Sequence, residues 1–178
     1  MTDMKVLTPR AGVRWKAEAT AAIVRLEASA AFRTPLAGVS CTHADPPGLV
    51  VRLFHFKGKG RDWNVAVKLH AKAMVGLLKA MRKCPSIQIT QPYTSAFSGC
   101  YREYQQQWWL RDQYLHHGGH LAADPCDAWH RTGRAGDLYL VTVEEREAML
   151  SVRVGIREVH FFDLLPQDPP HFVLGVRG

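Results

Sequence analysis

Apolar positions along the chain recur in two distinct rhythms. Between Arg14 and Ala31, Ile23, Leu26 and Ala30 repeat at helical spacing among alanines, with Lys16, Glu18, Arg25 and Glu27 left for a wet side, which predicts a helix. Thr34-Pro35 and Asp45-Pro46-Pro47-Gly48 break that pattern. Gly48 to Phe56 (GLVVRLFHF) is rich in β-branched and aromatic residues and predicts a strand, closed by the basic turn Lys57-Gly58-Lys59-Gly60-Arg61, which lacks Walker spacing for phosphate. From Asp62, taken as an N-cap, Val65, Leu69, Ala73, Leu77 and Ala80 form a stripe that predicts a second helix to Lys83, ended by Pro85.

The second half continues in shorter pieces. Ser86 to Thr90 alternates as a short strand, and Glu103 to Leu115 has no breaker and predicts a helix carrying Trp108, Trp109 and Tyr114. The segment from His116 to Trp129 is too long for a plain connection. Asp137 to Val143 predicts a strand, Glu144 to Leu150 a short helix, and Val159 to Leu165 and His171 to Val176 two further strands. The predicted fold class is α+β, a small sheet flanked by helices in one domain over 1–178, with 1–85 packed as a helical and strand extension on a core of 86–178.

Composition narrows the function classes. With 47% hydrophobic and 22% charged residues among 178, the chain can bury a real core. The formal charge of +7 favours an anionic partner, whether nucleic acid, membrane surface or cell-wall polymer. Its longest apolar run is about half the ~20 residues a membrane helix needs, so no membrane insertion is expected. The first residues hold no apolar stretch of signal-peptide type, which predicts synthesis in the cytoplasm without a signal of its own. Cys41, Cys84, Cys100 and Cys126 show no zinc-ribbon spacing and are expected as free thiols in a reducing cytosol.

Two segments concentrate imidazoles and carboxylates: Trp129-His130-Arg131-Thr132-Gly133-Arg134-Ala135-Gly136-Asp137 and Asp168-Pro169-Pro170-His171-Phe172. A catalytic zinc site needs three ligands of this kind, an open position for water and a separate carboxylate to take the proton, and four groups meet that count. Fully extended, the steps from His130 to Asp137 would span about 23 Å. Two ligands of one ion lie far closer, so the chain must turn, and Gly133 and Gly136 permit it. Each segment taken alone has a plainer reading, a chance His-x6-Asp pair and a turn ahead of a last strand.

Together and in this order, the two segments resemble the VanY-like zinc D-alanyl-D-alanine carboxypeptidase and L-alanoyl-D-glutamate endopeptidase family, which cleaves the peptides of bacterial peptidoglycan. His130, Gly133, Ala135 and Asp137 fill the family pattern His-x-x-Gly-x-Ala-x-Asp, and Asp168, His171 and Phe172 fill its last motif. Ser98-Gly99-Cys100-Tyr101-Arg102, followed by Gln105-Gln106-Gln107, looks like the family's Ser-Gly-Tyr-Arg and Gln-rich helix with Cys100 inserted. The match runs from about Ser86 to the C-terminus. It implies a hedgehog/DD-peptidase-like fold in which His130, Asp137 and His171 bind Zn2+, Asp168 is the general base and Arg102 neutralises the oxyanion. Two imidazoles and one carboxylate around a dication leave a net charge of about +1, which still acidifies a bound water.

Three departures from the family pattern bear on function. Ala128 stands where relatives carry Ser two residues before the first ligand, and Cys100 threatens to shift Arg102 by one place. Asp168, in place of Glu, resembles the endolysin-type endopeptidases. The expected function is a monomeric zinc endopeptidase that meets an anionic wall with its excess of bases and needs no nucleic acid. The alternatives are a D-alanyl-D-alanine carboxypeptidase or dipeptidase on the same scaffold, and a non-catalytic basic domain that binds wall or nucleic acid. His116, His117 and His120 are expected in a solvated loop, His43, His55, His70 and His160 in core or surface roles, Trp108, Trp109 and Trp129 in the core or, alternatively, walling a substrate groove, and Glu144, Glu145 and Glu147 at a helix start.

Overall fold

The computed structural model describes residues 6–57, 62–90, 100–119, 122–139, 141–155, 159–162 and 171–175. Its elements are α1 (Val13–Glu27), α2 (Ala30–Arg33), β1 (Leu49–Phe56), β2 (Trp63–His70), α3 (Ala71–Lys83), α4 (Tyr104–His116), a 3-10 turn (Trp129–Thr132), β3 (Ala135–Asp137), α5 (Val143–Leu150), β4 (Arg153–Val154), β5 (Val159–Phe162) and β6 (His171–Gly175). β1 and β2 form an antiparallel hairpin, and a second sheet runs β3-β6-β5-β4 with every pairing antiparallel. The α+β class is as the sequence predicts.

The central layer is helical. α1 buries Trp15, Ala19, Ala22, Ile23 and Leu26, one stripe at intervals of three and four, and sets it against α3. The Trp15 indole N–H donates to the Met81 carbonyl at 2.9 Å, so the largest side chain in the interface keeps its one polar atom satisfied. α3 buries residues all round, because α1 covers one side and α5 and β4 lie along another. Gly76 makes this possible: a Cβ there would stand 2.7 Å from the Phe161 ring of β5. One apolar cluster runs from Leu7 and Trp15 through the hairpin and α3 to Phe172 and Leu174.

Four local predictions change. The helix expected from Asp62 is β2 for its first half: Trp63, Val65 and Leu69 are buried while Asn64 is exposed, and every residue from Trp63 to His70 pairs with β1. A spacing of four, as in Val65 and Leu69, fits one face of a helix and one face of a strand equally well, and pairing with β1 decides between them. The N-cap of α3 is therefore His70, whose Nδ1 accepts from the Lys72 amide. The strand expected over Asp137 to Val143 ends early, because Thr142 and Glu145 form a capping box that draws Val143 into α5. Trp108 and Trp109 are 56% and 43% exposed, not core, since α4 buries only Gln107.

The fourth change concerns the cysteines. Cys41 and Cys126 form a disulfide, and Cys84 and Cys100 are free. The two half-cystines are 85 residues apart in sequence, and folding brings their Cα atoms to 4.4 Å, within the range a disulfide spans. Among the described residues no helix is long and apolar enough to cross a membrane. The strands expected over Ser86 to Thr90 and from Val159 onward are partly realised: Ile89 bridges Leu138, and β5 covers Val159–Phe162. The expectation for Gly58 to Arg61 falls outside the described residues.

Candidate metal centre

The register of the second sheet builds the centre. β3 and β6 pair with Asp137 opposite His171, so the two side chains leave the sheet on one face as neighbours. The His171 Nδ1 lies 2.9 Å from Asp137 Oδ1. His130 arrives from the 3-10 turn, which Gly133 terminates in the left-handed conformation at φ 68°. A side chain at Gly133 would put its Cβ 2.4 Å from Leu49 and 2.9 Å from the His70 amide. The Gly133 carbonyl also accepts from that amide at 2.8 Å, so the turn is clamped onto the β1–β2 hairpin.

The His130 Nε2 then sits 3.2 Å from His171 Nδ1 and 3.4 Å from Asp137 Oδ1. One ligand-type atom from each of the three residues lies within 4.8 Å of the others, an arrangement that can hold a metal ion. Exposure is graded across it: the His130 side chain is 6% exposed, His171 13% and Asp137 21%. The centre is thus backed by protein and open on its carboxylate side.

Proton positions follow from the partners. The His130 Nδ1 is bonded to the Cys100 carbonyl, and a carbonyl only accepts, so Nδ1 carries the hydrogen and Nε2 presents a lone pair in the neutral ring. Burial, reinforced by the charge of Arg102, pushes the His130 pKa down, and Asp137 opposes this incompletely. Asp137 is held ionised: burial would raise its pKa, but His130, His171 and the Arg102 charge outweigh burial and hold it well below the ordinary carboxylate range. Lone pairs on His130 Nε2 and Asp137 Oδ1 therefore face each other with a single His171 ring nitrogen beside them. Such a group could hold a metal ion, and a ligating imidazole anchored through its other nitrogen to a carbonyl is the usual outer support of a metal ligand.

Arg102 reaches the same place. Its Nη2 donates to Asp137 Oδ2 at 3.0 Å and its Nη1 to the Gln107 Oε1 at 3.3 Å. The inserted Cys100 does not displace it. Cys100 is fully buried and lends its carbonyl to His130, while the Tyr101 amide donates to the Lys68 carbonyl of β2 and the Arg102 amide to the His130 carbonyl. Asp168 lies outside the described residues.

Two contributors were not singled out from the sequence. Gln107, 1% exposed, bonds Arg102 through its oxygen and the Ala123 carbonyl through its nitrogen at 2.8 Å, fixing the orientation of its amide. Its signal was present in the Gln-rich run beginning α4. The Cys100 carbonyl carries no signal at all, because any residue type supplies one.

The remaining candidates take structural roles. His116 and His117 stand at the end of α4 within 4.0 Å and 3.6 Å of Asp112, and His120 lies outside the described residues. His43 packs on the Tyr104 ring, and Trp129 receives the Arg134 guanidinium over its ring at 4.7 Å. Comparison of the chain with protein-family models, with curated proteins and with solved structures finds no match.

Proposed function

We propose that this chain is a zinc-dependent peptidase of hedgehog/DD-peptidase-like fold. Its reaction is hydrolysis of an amide bond in the stem peptide of bacterial peptidoglycan, as an L-alanoyl-D-glutamate endopeptidase of endolysin type. The observation that carries this reading is the convergence of His130, Asp137 and His171 with Arg102 against them. These residues come from three separated stretches, and they are the ones that the motif resemblance marks for ligation and oxyanion stabilisation. Two imidazole nitrogens and one carboxylate oxygen suit Zn2+, and the open carboxylate side leaves room for water and substrate. Zn2+ so held supplies a Lewis acid that activates water near neutral pH and polarises an amide carbonyl.

The residues of the chain divide the remaining work. Asp168, three positions before His171 in sequence, takes the proton of the attacking water and returns it to the leaving amine. Arg102, whose side chain is 24% exposed and held by Asp137 and Gln107, presents a fixed positive charge where the tetrahedral oxyanion develops. The Cys41–Cys126 disulfide suits a protein that works outside the reducing cytosol, as action on a cell wall requires.

The test is mass spectrometry of muropeptides digested by the purified protein, with zinc and with chelator. New N-terminal D-Glu or D-isoGln ends that vanish with chelator are expected. Arg102→Met should lower kcat about 100- to 1,000-fold while zinc stays bound, and Asp168→Ala should lose turnover. Release of D-Ala alone would make the protein a carboxypeptidase. Undiminished lysis by Asp168→Ala would remove the assigned base.

A further inference from the structure

Two irregular segments, 37–47 and 122–127, support residues of the metal centre or their neighbours in sequence. From the first, the Thr42 carbonyl accepts from Arg131, next to His130, and the Asp45 carboxylate accepts from the Tyr101 hydroxyl, next to Arg102. From the second, the Ala123 carbonyl accepts from Gln107 Nε2 at 2.8 Å and the Ala122 carbonyl from Arg111 Nη1 at 2.8 Å. Among the described residues no hydrogen bond or ion pair crosses from one segment to the other. What ties them is the bond between Cys41 and Cys126.

Gln107 carries the state of that tie to the site. Its side chain is buried, and its amide keeps one orientation as long as Nε2 has the Ala123 carbonyl to donate to. In that orientation Oε1 accepts from Arg102 Nη1 at 3.3 Å. A flipped amide would set its NH2 against the guanidinium, donor against donor, and Arg102 would be left with its 3.0 Å contact to Asp137. The grip on Arg102 thus depends on where the 122–127 segment holds one carbonyl, three residues from Cys126.

Cys41 is exposed and Cys126 half-buried, so a small thiol or disulfide reaches the pair. We infer that Cys41 and Cys126 are a redox latch on the metal centre: bonded, they fix Gln107 and through it Arg102, and reduced, they release the 122–127 segment so that the Gln107 amide flips and Arg102 loosens. The latch closes by exchange with a low-molecular-weight disulfide. The Cys41 thiolate attacks one of its sulfurs and expels a thiolate, and the Cys126 thiolate then attacks the Cys41 sulfur and expels the second. The protein loses two electrons, the small disulfide becomes two thiols, and the two cysteine protons end on them. A chain among free thiols is therefore unlatched, and one that has left them is latched. Control of turnover by this latch rests on the peptidase reading, whereas the loosening of Arg102 does not.

The experiment is NMR of the isotope-labelled full chain, metal-free, over stepped ratios of reduced to oxidised glutathione and well below the unfolding temperature. On reduction the Gln107 side-chain NH2 and the Arg102 guanidinium protons should exchange with water at least about tenfold faster, while the backbone amide spectrum stays native. Cys41→Ser with Cys126→Ser should match the reduced chain at every ratio. Gln107→Met should show fast Arg102 exchange in both redox states, and with the native chain it decides the matter if the serine variant does not fold. In the zinc-loaded chain, reduction should slow turnover of muropeptides about 100-fold with zinc still bound. Equal Gln107 and Arg102 exchange in the two states of the native chain, global unfolding on reduction, a serine variant that responds to glutathione, an Arg102 response that survives Gln107→Met, or equal turnover of the two forms would each overturn the inference. A chain that hydrolyses nothing in either state removes the peptidase reading, and the exchange rates alone then judge the latch.

Discussion

His130 and Arg131 are consecutive residues of one 3-10 turn, each 5% exposed, yet their surroundings are electrically opposite. Around His130 gather a second imidazole and an ionised carboxylate, lone pairs facing one another with too few protons between them. Around Arg131 gather a hydroxyl, a backbone carbonyl and an aromatic ring, with the Asp45 carboxylate behind the hydroxyl. Equal burial thus accompanies opposite surroundings, one a group of donors that could hold a cation and the other a set of acceptors around a cation already present. Burial shows that a polar group is costly, and the census of its partners shows what would relieve it.

The largest effect expected separates the two neighbours outright. Asp137→Ala should lower zinc affinity by more than about 1,000-fold, beyond the 10- to 100-fold usual for outer partners of a ligand. Arg131→Gln should keep about one zinc per chain. Equilibrium dialysis followed by elemental analysis reads both. Zinc retained by Asp137→Ala would dissolve the contrast from the His130 side.

A smaller effect is expected from the support the two clusters share. The Cys41–Cys126 bond joins the segment bearing Thr42, whose carbonyl accepts from Arg131, and Asp45, which accepts from Tyr101, to the loop whose Ala122 and Ala123 carbonyls hold Arg111 and Gln107. Closing a loop of 85 residues restricts the unfolded chain. Replacing both cysteines by serine should therefore cost about 3–4 kcal/mol in denaturant unfolding. A reductant should cost the native chain the same and the double variant nothing; equal midpoints in all four conditions would show that the bond adds no stability.

The smallest effect tests the clamp behind the turn. His70, fully buried, caps α3 and donates its amide to Gly133, and burial, with Lys72 and Arg134 adding to it, pushes its pKa down to about 4. The unfolded chain takes up this proton near pH 6.5 and the folded chain only near 4. Stability is thus full above about 6.5 and falls as the pH drops toward 4, by up to about 3 kcal/mol from this residue. His70→Asn keeps a capping side chain without titrating there, so its stability between pH 7 and 4 should fall less than that of the native chain. Parallel pH profiles of the two proteins would remove His70 from the acid sensitivity.

Much of the architecture was legible because it rests on local rules. The stripe on α1, the β-branched run of β1, the breaker-free stretch of α4 and the bounds of α5 follow from spacing, propensity and capping within a few residues. β2 was misread because Val65 and Leu69 satisfy two periods at once, and only a partner strand tells them apart.

At the centre, the residue types of His130, Asp137 and His171 and their motif order were written in the chain, as was Arg102. Their meeting was not. Asp137 and His171 meet through the β3–β6 register, His130 joins them through a left-handed Gly133, and the proton on His130 is placed by a carbonyl of Cys100 that no side-chain pattern encodes. The same holds for the crosslink between Cys41 and Cys126 and for the burial of Arg131 against Tyr101 and Thr42. Sequence by itself determined which elements form and which chemical groups are on hand, since both depend on neighbours along the chain. Tertiary structure decided which groups share a space, because hydrogen-bond register, burial and charge balance depend on residues tens of positions away.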